Sequence, residues 1–301
     1  MVWINGSFVE RDCAQVSAFD AGLVHGVGLF ETMLACGDEG RVFRIERHMD
    51  RLARSAAELG LSESLRTRPL AEAVENAVRE SGLTGRDLSQ RARVRLTVTG
   101  GDLNLLAQAG GNPSDPTVMV HVQPATIYPE KMFEMGVGVL VADARANPLN
   151  PFEGHKTVNY WWRLRALQGA SARGMGEALV LGVTNHVVGG AVSNVFAVHD
   201  GSMLTPIAHG EEEQGAMHSP VLPGITREAV IECGESMGVG CKRAMVSIAE
   251  ILDADEVFLT NSSWGVLPVV QVEGKTIGSG APGELTRDLR TRWLKLVQDE
   301  P

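Results

Sequence analysis

Residues 2–9, "VWINGSFV", form two short apolar runs around Asn5-Gly6. Asn-Gly accepts the positive φ angles of a two-residue turn, so the stretch predicts a β-hairpin. "SAFDAGLVHGVGLFETMLAC" intersperses glycines with apolar residues and leads into a strand. In "RIERHMDRLARSAAELG" the spacing turns helical, with Met49, Leu52, Ala53 and Ala56 on one face and Gly60 as the stop. "PLAEAVENAVRESG" predicts a second helix, with Pro69 near its start, Leu70, Ala73, Val74, Ala77 and Val78 inward, and Gly82 at its end. A period of two returns in "RARVRLTVTGG" and "PTVMVHVQP", the pattern of half-buried strands. Periodicity then fails in "PATIYPEKMFEMG", where two prolines mark a linker.

After the linker come a strand, "VGVLVADAR", and a loop, "ANPLNPFEG". A helix is expected from the Lys156 segment to about Ala172. "EALVLG" and "HVVGGAVSNVFAVHDGSMLTP" predict strands, with turns at Thr184-Asn185 and His199-Asp200-Gly201. A helix is expected from "LPGITREAVIECGESMG", then the strand-rich "DEVFLTNSSWGVLPVVQVEGKTIG" and a C-terminal helix. The pattern is α/β (α+β) in two domains: a small N-terminal one over 1–122, a linker over 123–135, and a larger C-terminal one over 136–301.

Composition narrows the function classes. A length of 301 residues suits two cores better than one. A net charge of −10 argues against nucleic acid as the main partner, which needs a basic surface. Cys13, Cys36, Cys233 and Cys241 contain no CxxC spacing, so no metal site is expected and four free thiols in a reducing cytosol are. No basic stretch followed by an apolar one opens the chain, and no apolar run reaches the ~18 residues of a membrane span. A cytoplasmic protein without membrane contact is the expectation.

The candidate chemistry begins with Lys156 in "HKTVNYWW". Lysine is rarely buried unless paired, so Lys156 either faces water at a helix start or is a desolvated amine able to attack a carbonyl. "LPGITRE" places Gly224, Ile225 and Thr226 at a helix start, where backbone N–H groups and the helix dipole favour an anion. His48 lies one helical turn before Arg51 and is expected at the helix surface or the core edge. Glu211 to Glu213 are expected to form a solvated loop tip.

Six segments, in order and over nearly the whole chain, resemble one family: "FDAGLVHGVGLFETML", "ERHMDRLARSA", "HKTVNY", "VSNVFAVHDG", "LPGITRE" and "DEVFLTNSSWGVLPV". They resemble the class IV (fold-type IV) pyridoxal-phosphate enzymes, which include branched-chain aminotransferases, D-amino-acid aminotransferases and aminodeoxychorismate lyases. The resemblance implies a cofactor, pyridoxal 5′-phosphate, lying between the two domains. It makes Lys156 the Schiff-base lysine, which also carries the α-proton. Arg51, the backbone around Ile225, the Thr226 hydroxyl and Ser262 become the phosphate ligands, and Tyr160 and Asn194 further cofactor contacts. The implied activity is transamination of a small amino acid and keto acid pair by a homodimer. Pyruvate elimination, as in the lyases, is the alternative within enzymes. A catalytically weak cofactor-binding paralogue is the alternative from another class.

One departure leaves three readings open: chemistry that needs less carbanion stabilisation, another group in place of a family glutamate (the loop acids Glu211 to Glu213 among the candidates), or that last alternative. The family carries a glutamate five residues before the Asn of its "SN" pair, where it holds the cofactor's pyridine nitrogen protonated. In "VVGGAVSN" that position is Gly189, and no acid lies between Leu181 and His199. Loss of one charge-assisted contact costs roughly 1.5–3 kcal/mol, enough to slow proton abstraction by about tenfold to more than a hundredfold. Gly189→Glu is expected to restore the electron sink where the glutamate fits. Gly100 stands where D-amino-acid aminotransferases carry an arginine, which argues against that branch. The stretch "AHGEEEQGAMHSP", covering the loop 209–220, is longer than the family usually has.

Overall fold

The computed structural model describes residues 1–37, 39–85, 87, 89–102 and 116–300. The chain divides into two compact units, one of residues 1–126, 156–159 and 300–301, the other of residues 127–155 and 160–299.

The first unit is a six-stranded antiparallel sheet. Its strands run in the order Ser7–Val9, Val2–Ile4, Val118–Pro124, Ala92–Thr99, Gly28–Cys36 and Arg41–Val42. The N-terminal hairpin turns at Asn5 and Gly6, with φ of 44° and 94°. Helices Ile45–Glu58 and Thr67–Ser81 bury their apolar stripes against the sheet. Met49, Leu52, Ala56, Leu70, Val74 and Val78 pack with Met33, Val94, Leu96 and Val120.

Residues 156–159 join this unit through backbone pairing. The Phe30 N–H donates to the Lys156 carbonyl (2.9 Å), and the Val158 N–H donates to the Gly28 carbonyl (3.0 Å). This corrects two sequence expectations. Lys156 does not begin a helix, because its segment is hydrogen-bonded to a strand; the helix is Trp161–Ser171. The stretch 136–301 is also not one continuous unit.

The second unit holds a ten-stranded mixed sheet. Its order is Cys241–Ala244, Ser202–Pro206, Asn194–His199, Glu256–Asn261, Gly265–Val272, Val137–Ala146, Glu177–Gly182, His186–Gly190 and Val246–Ser247, with Lys275–Thr276 beside Gly265–Val272. Leu179, Val195, Leu259 and Leu267 form the larger core cluster, and Ala142, Ala170, Val180 and Val188 a second one. The linker expected over 123–135 is largely ordered. A strand runs to Pro124, and Lys131–Met135 is a short helix. Its Phe133 is buried under the Arg290 guanidinium, which explains why the segment is held. No helix among the described residues is long and apolar enough to cross a membrane.

Candidate active site

In the first unit, the strand Gly28–Cys36 is buried along nearly its whole length and carries an acid, Glu31, only 1% exposed. A buried carboxylate requires partners. Helix Ile45–Glu58 supplies two from successive turns of one face. Arg51 grips Glu31 with both arms, Nε to Oε1 at 2.9 Å and Nη2 to Oε2 at 2.5 Å. His48 Nδ1 lies 2.7 Å from Glu31 Oε2. Burial alone would raise the Glu31 pKa, but the Arg51 charge and the His48 hydrogen bond outweigh it and hold the carboxyl at about 2. Burial lowers the pKa of His48 in turn, and the charges of Arg51 and Lys156 add to the effect. His48 is therefore neutral, and its Nδ1–H donates to the carboxylate, which can only accept.

Lys156 is half-buried, and its Nζ lies 4.5 Å from the centre of the Phe30 ring. The Arg95 guanidinium lies 3.7 Å from the same ring centre. The aromatic surface at Lys156 is thus Phe30 from the sheet. Trp161, of the aromatic segment that follows Lys156, is 80% exposed, because the helix starting there turns it to the surface.

In the second unit, Asn194 opens a strand, and its Nδ2 donates to the Leu222 carbonyl (2.8 Å). This fixes the segment entering the helix Ile225–Ser236. A Cβ at Gly224 would overlap Asn194 Oδ1, so glycine is required for the close approach. The first turn of that helix has no side-chain cap. Ile225 and Thr226 are buried at that end, 6% and 3% exposed. Ser262 sits in the turn 262–264, whose Ser263 and Trp264 N–H groups are held by Asn261 Oδ1 (2.9 and 3.0 Å). The Tyr160 hydroxyl donates to the Ala191 carbonyl (3.3 Å). Of the expected site residues, Arg51 and Lys156 belong to the first unit, and Tyr160, Asn194, Ile225, Thr226 and Ser262 to the second.

Gly189 has φ +152°, and a Cβ there would come within 2.7 Å of the Ser193 carbonyl oxygen. The missing glutamate is therefore accompanied by a backbone strained for any side chain, and a glutamate does not simply fit there. Two carboxylates of the acidic loop have partners of their own. Glu211 pairs with buried Arg227 (2.7 and 2.8 Å) and with Arg243 (3.2 Å). Glu212 accepts from the Gly210 N–H (2.6 Å) and the Ser219 N–H. Glu211 and Glu213 are exposed, as a solvated tip requires, but Glu211 is ion-paired and Glu212 is half-buried. Sequence reasoning missed Arg227 because its partner comes from that loop.

The bend 191–193 that follows Gly189 is held by another acid that sequence reasoning missed. Glu177, fully buried, accepts from the Ala178 N–H (2.9 Å), the Val192 N–H (3.2 Å) and the Ser193 hydroxyl (3.0 Å). Burial raises its pKa to about 7 despite those bonds. The signal for both Glu31 and Glu177 was an acid set in an otherwise apolar strand, "GLFETML" and "EALVLG". Arg95 gave no such signal, because alternating arginines read as the exposed face of a strand.

A family model described as amino-transferase class IV matches residues 28–272. The chain belongs to the class IV aminotransferase family. Among its relatives is a Methanocaldococcus jannaschii protein provisionally named a branched-chain-amino-acid aminotransferase, 31% identical over 99% of both chains. A D-alanine aminotransferase of Bacillus licheniformis is 30% identical over 99% of this chain and 98% of its own. An aminodeoxychorismate lyase of Bacillus subtilis is 27% identical over 99% and 95%. A solved T.th. branched-chain aminotransferase, with pyridoxamine 5′-phosphate, superposes with a TM-score of 0.85 at 28% identity, covering 100% of this chain and 94% of that one. Class IV aminotransferases use pyridoxal phosphate.

The residues present fit that cofactor. An uncapped helix start with a buried hydroxyl suits its phosphate, and a lysine amine against an aromatic ring suits its aldehyde. The protein is an enzyme of this class, with a two-domain mixed α/β fold.

Proposed function

We propose that the protein is a pyridoxal-phosphate-dependent aminotransferase acting on a small apolar amino acid and its keto acid. The observation that carries the reading is Lys156, placed over the Phe30 ring, which the Arg95 guanidinium also meets. The cofactor, when bound, supplies an aldehyde that captures the substrate amine and a ring that takes up electrons as the α-proton leaves. Lys156 holds the cofactor aldehyde at rest and moves the proton from the α-carbon. Arg95 offers a guanidinium to the substrate carboxylate. Ile225, Thr226, Ser262 and Arg51 hold the phosphate, with Glu31 fixing the Arg51 fork. Tyr160 and Asn194 shape the remaining wall.

The relatives named for branched-chain substrates support an apolar side chain. The lyase reading draws on the lyase relative and on "TNSSWGVLPV", which resembles the lyase branch more than the branched-chain branch. Gly189 supports slow α-proton abstraction under either reading. The deciding assay offers purified enzyme branched-chain L-amino acids or D-alanine with a keto-acid acceptor, and separately aminodeoxychorismate alone. Acceptor-dependent keto-acid formation supports transamination. Pyruvate release without an acceptor overturns it in favour of the lyase. No turnover of any of them leaves the weak paralogue.

We also propose a homodimer, on the exposed apolar residues Phe19, Leu23 and Val24 (75%, 66% and 53%) of the first unit. A fully active monomer by light scattering at micromolar concentration contradicts it.

A further inference from the structure

The loop that precedes the helix Ile225–Ser236 carries a group of side chains with no part in the chemistry above. His209, Glu212 and His218 each offer one ligand atom, and these atoms all lie within 4.8 Å of one another. His209 Nδ1 is 3.6 Å from Glu212 Oε1. That is long for a hydrogen bond. It is close to the separation of about 3.4 Å between neighbouring ligands of a tetrahedral ion bound at about 2.1 Å. We propose that His209, Glu212 and His218 bind a divalent transition-metal cation of the zinc class, which pins this loop.

The surroundings orient the ligands. His209 is 7% exposed, and the His155 ring meets it edge-on at 4.6 Å. A Cβ at Gly154 would come within 2.9 Å of the His209 Cβ, so the backbone there closes against the imidazole. The base of the loop is tied by the His209 N–H to the Val221 carbonyl (2.8 Å) and by the Ser219 hydroxyl to the Ile207 carbonyl (2.6 Å). The Glu212 carboxylate is aimed by the N–H groups of Gly210 and Ser219. Outer-shell bonds of this kind hold a ligating carboxylate in place. His218 is exposed, with its ring centre 5.3 Å from that of His209, and it closes the set from the solvent side. Two imidazoles and one carboxylate suit zinc better than calcium or magnesium, and they leave a position for water. Cysteine spacing gave no hint of this site, because no cysteine belongs to it.

The test is isothermal titration of the chelator-treated, cofactor-loaded full chain with Zn²⁺. The expected result is one saturable site per chain. His218→Ala, at an exposed position, should weaken it by at least about tenfold. Glu212→Gln, which removes the charge at nearly constant volume and keeps one of the two acceptor oxygens, should do the same. His186→Ala, at a turn-edge histidine of the same unit, should leave it unchanged. Absence of saturable binding overturns the proposal. So does undiminished affinity in both the His218→Ala and Glu212→Gln proteins. The readout is heat rather than turnover, so the result is independent of the proposed reaction.

Discussion

Replacement of Glu31 by glutamine removes a charge but little volume. The depression of its pKa from 4.5 to about 2 sets the scale. At about 1.4 kcal/mol per pKa unit, that shift corresponds to about 3 kcal/mol of stability. The carboxyl is 1% exposed, so solvent screening does not reduce the figure much. A depressed acid stabilises above its unfolded pKa and loses that contribution as pH falls through the folded value. The effect is therefore full at pH 7 and fades between about pH 4 and pH 2. Glutamine also leaves the buried Arg51 guanidinium without its counter-charge, and breaking a buried pair costs about 3–5 kcal/mol. Urea unfolding of Glu31→Gln at pH 7 should show a loss of about 3 kcal/mol or more, shrinking toward low pH. The double variant Glu31→Gln, Arg51→Met should recover part of it, since no buried charge then stands alone. A loss under about 1 kcal/mol at pH 7, or one independent of pH, refutes the reasoning.

Glu177 behaves in the opposite sense: its folded pKa is raised to about 7 from 4.5, so the native state holds the proton more tightly and stability falls as pH rises between those values. Thermal unfolding from pH 5 to 8 should lose that slope in Glu177→Gln, and parallel profiles in the two proteins would count against it. Gly189→Ala should cost about 1–3 kcal/mol, because its backbone lies where only glycine is unstrained. Gly189→Glu should lose at least as much rather than gain activity, and an unchanged Tm for either variant contradicts the strain.

The periodic elements were legible in the sequence because burial imposes spacing on them. Met49, Leu52 and Ala56 on one helix, and the Asn5-Gly6 hairpin, follow from local rules. The Lys156 environment was not legible that way. Its aromatic partner Phe30 reaches it through strand-edge pairing that couples distant parts of the chain, while the adjacent Trp161 turns outward. Lys156 and the Gly224–Thr226 turn can be proposed from sequence because short motifs carry the chemistry assigned to them. Glu31 was overlooked because a single acid in an apolar strand reads as a flaw until His48 and Arg51 are seen around it. The pairing of Glu211 was not legible because its partner Arg227 lies beyond the loop, outside any local pattern.

Borohydride reduction of the cofactor-loaded protein, followed by peptide mass mapping, tests the central assignment most directly. The account predicts one pyridoxyl-modified residue, Lys156, and no fixed cofactor in a folded Lys156→Ala protein. Covalent cofactor at a different lysine, or equal fixation in Lys156→Ala, would contradict it.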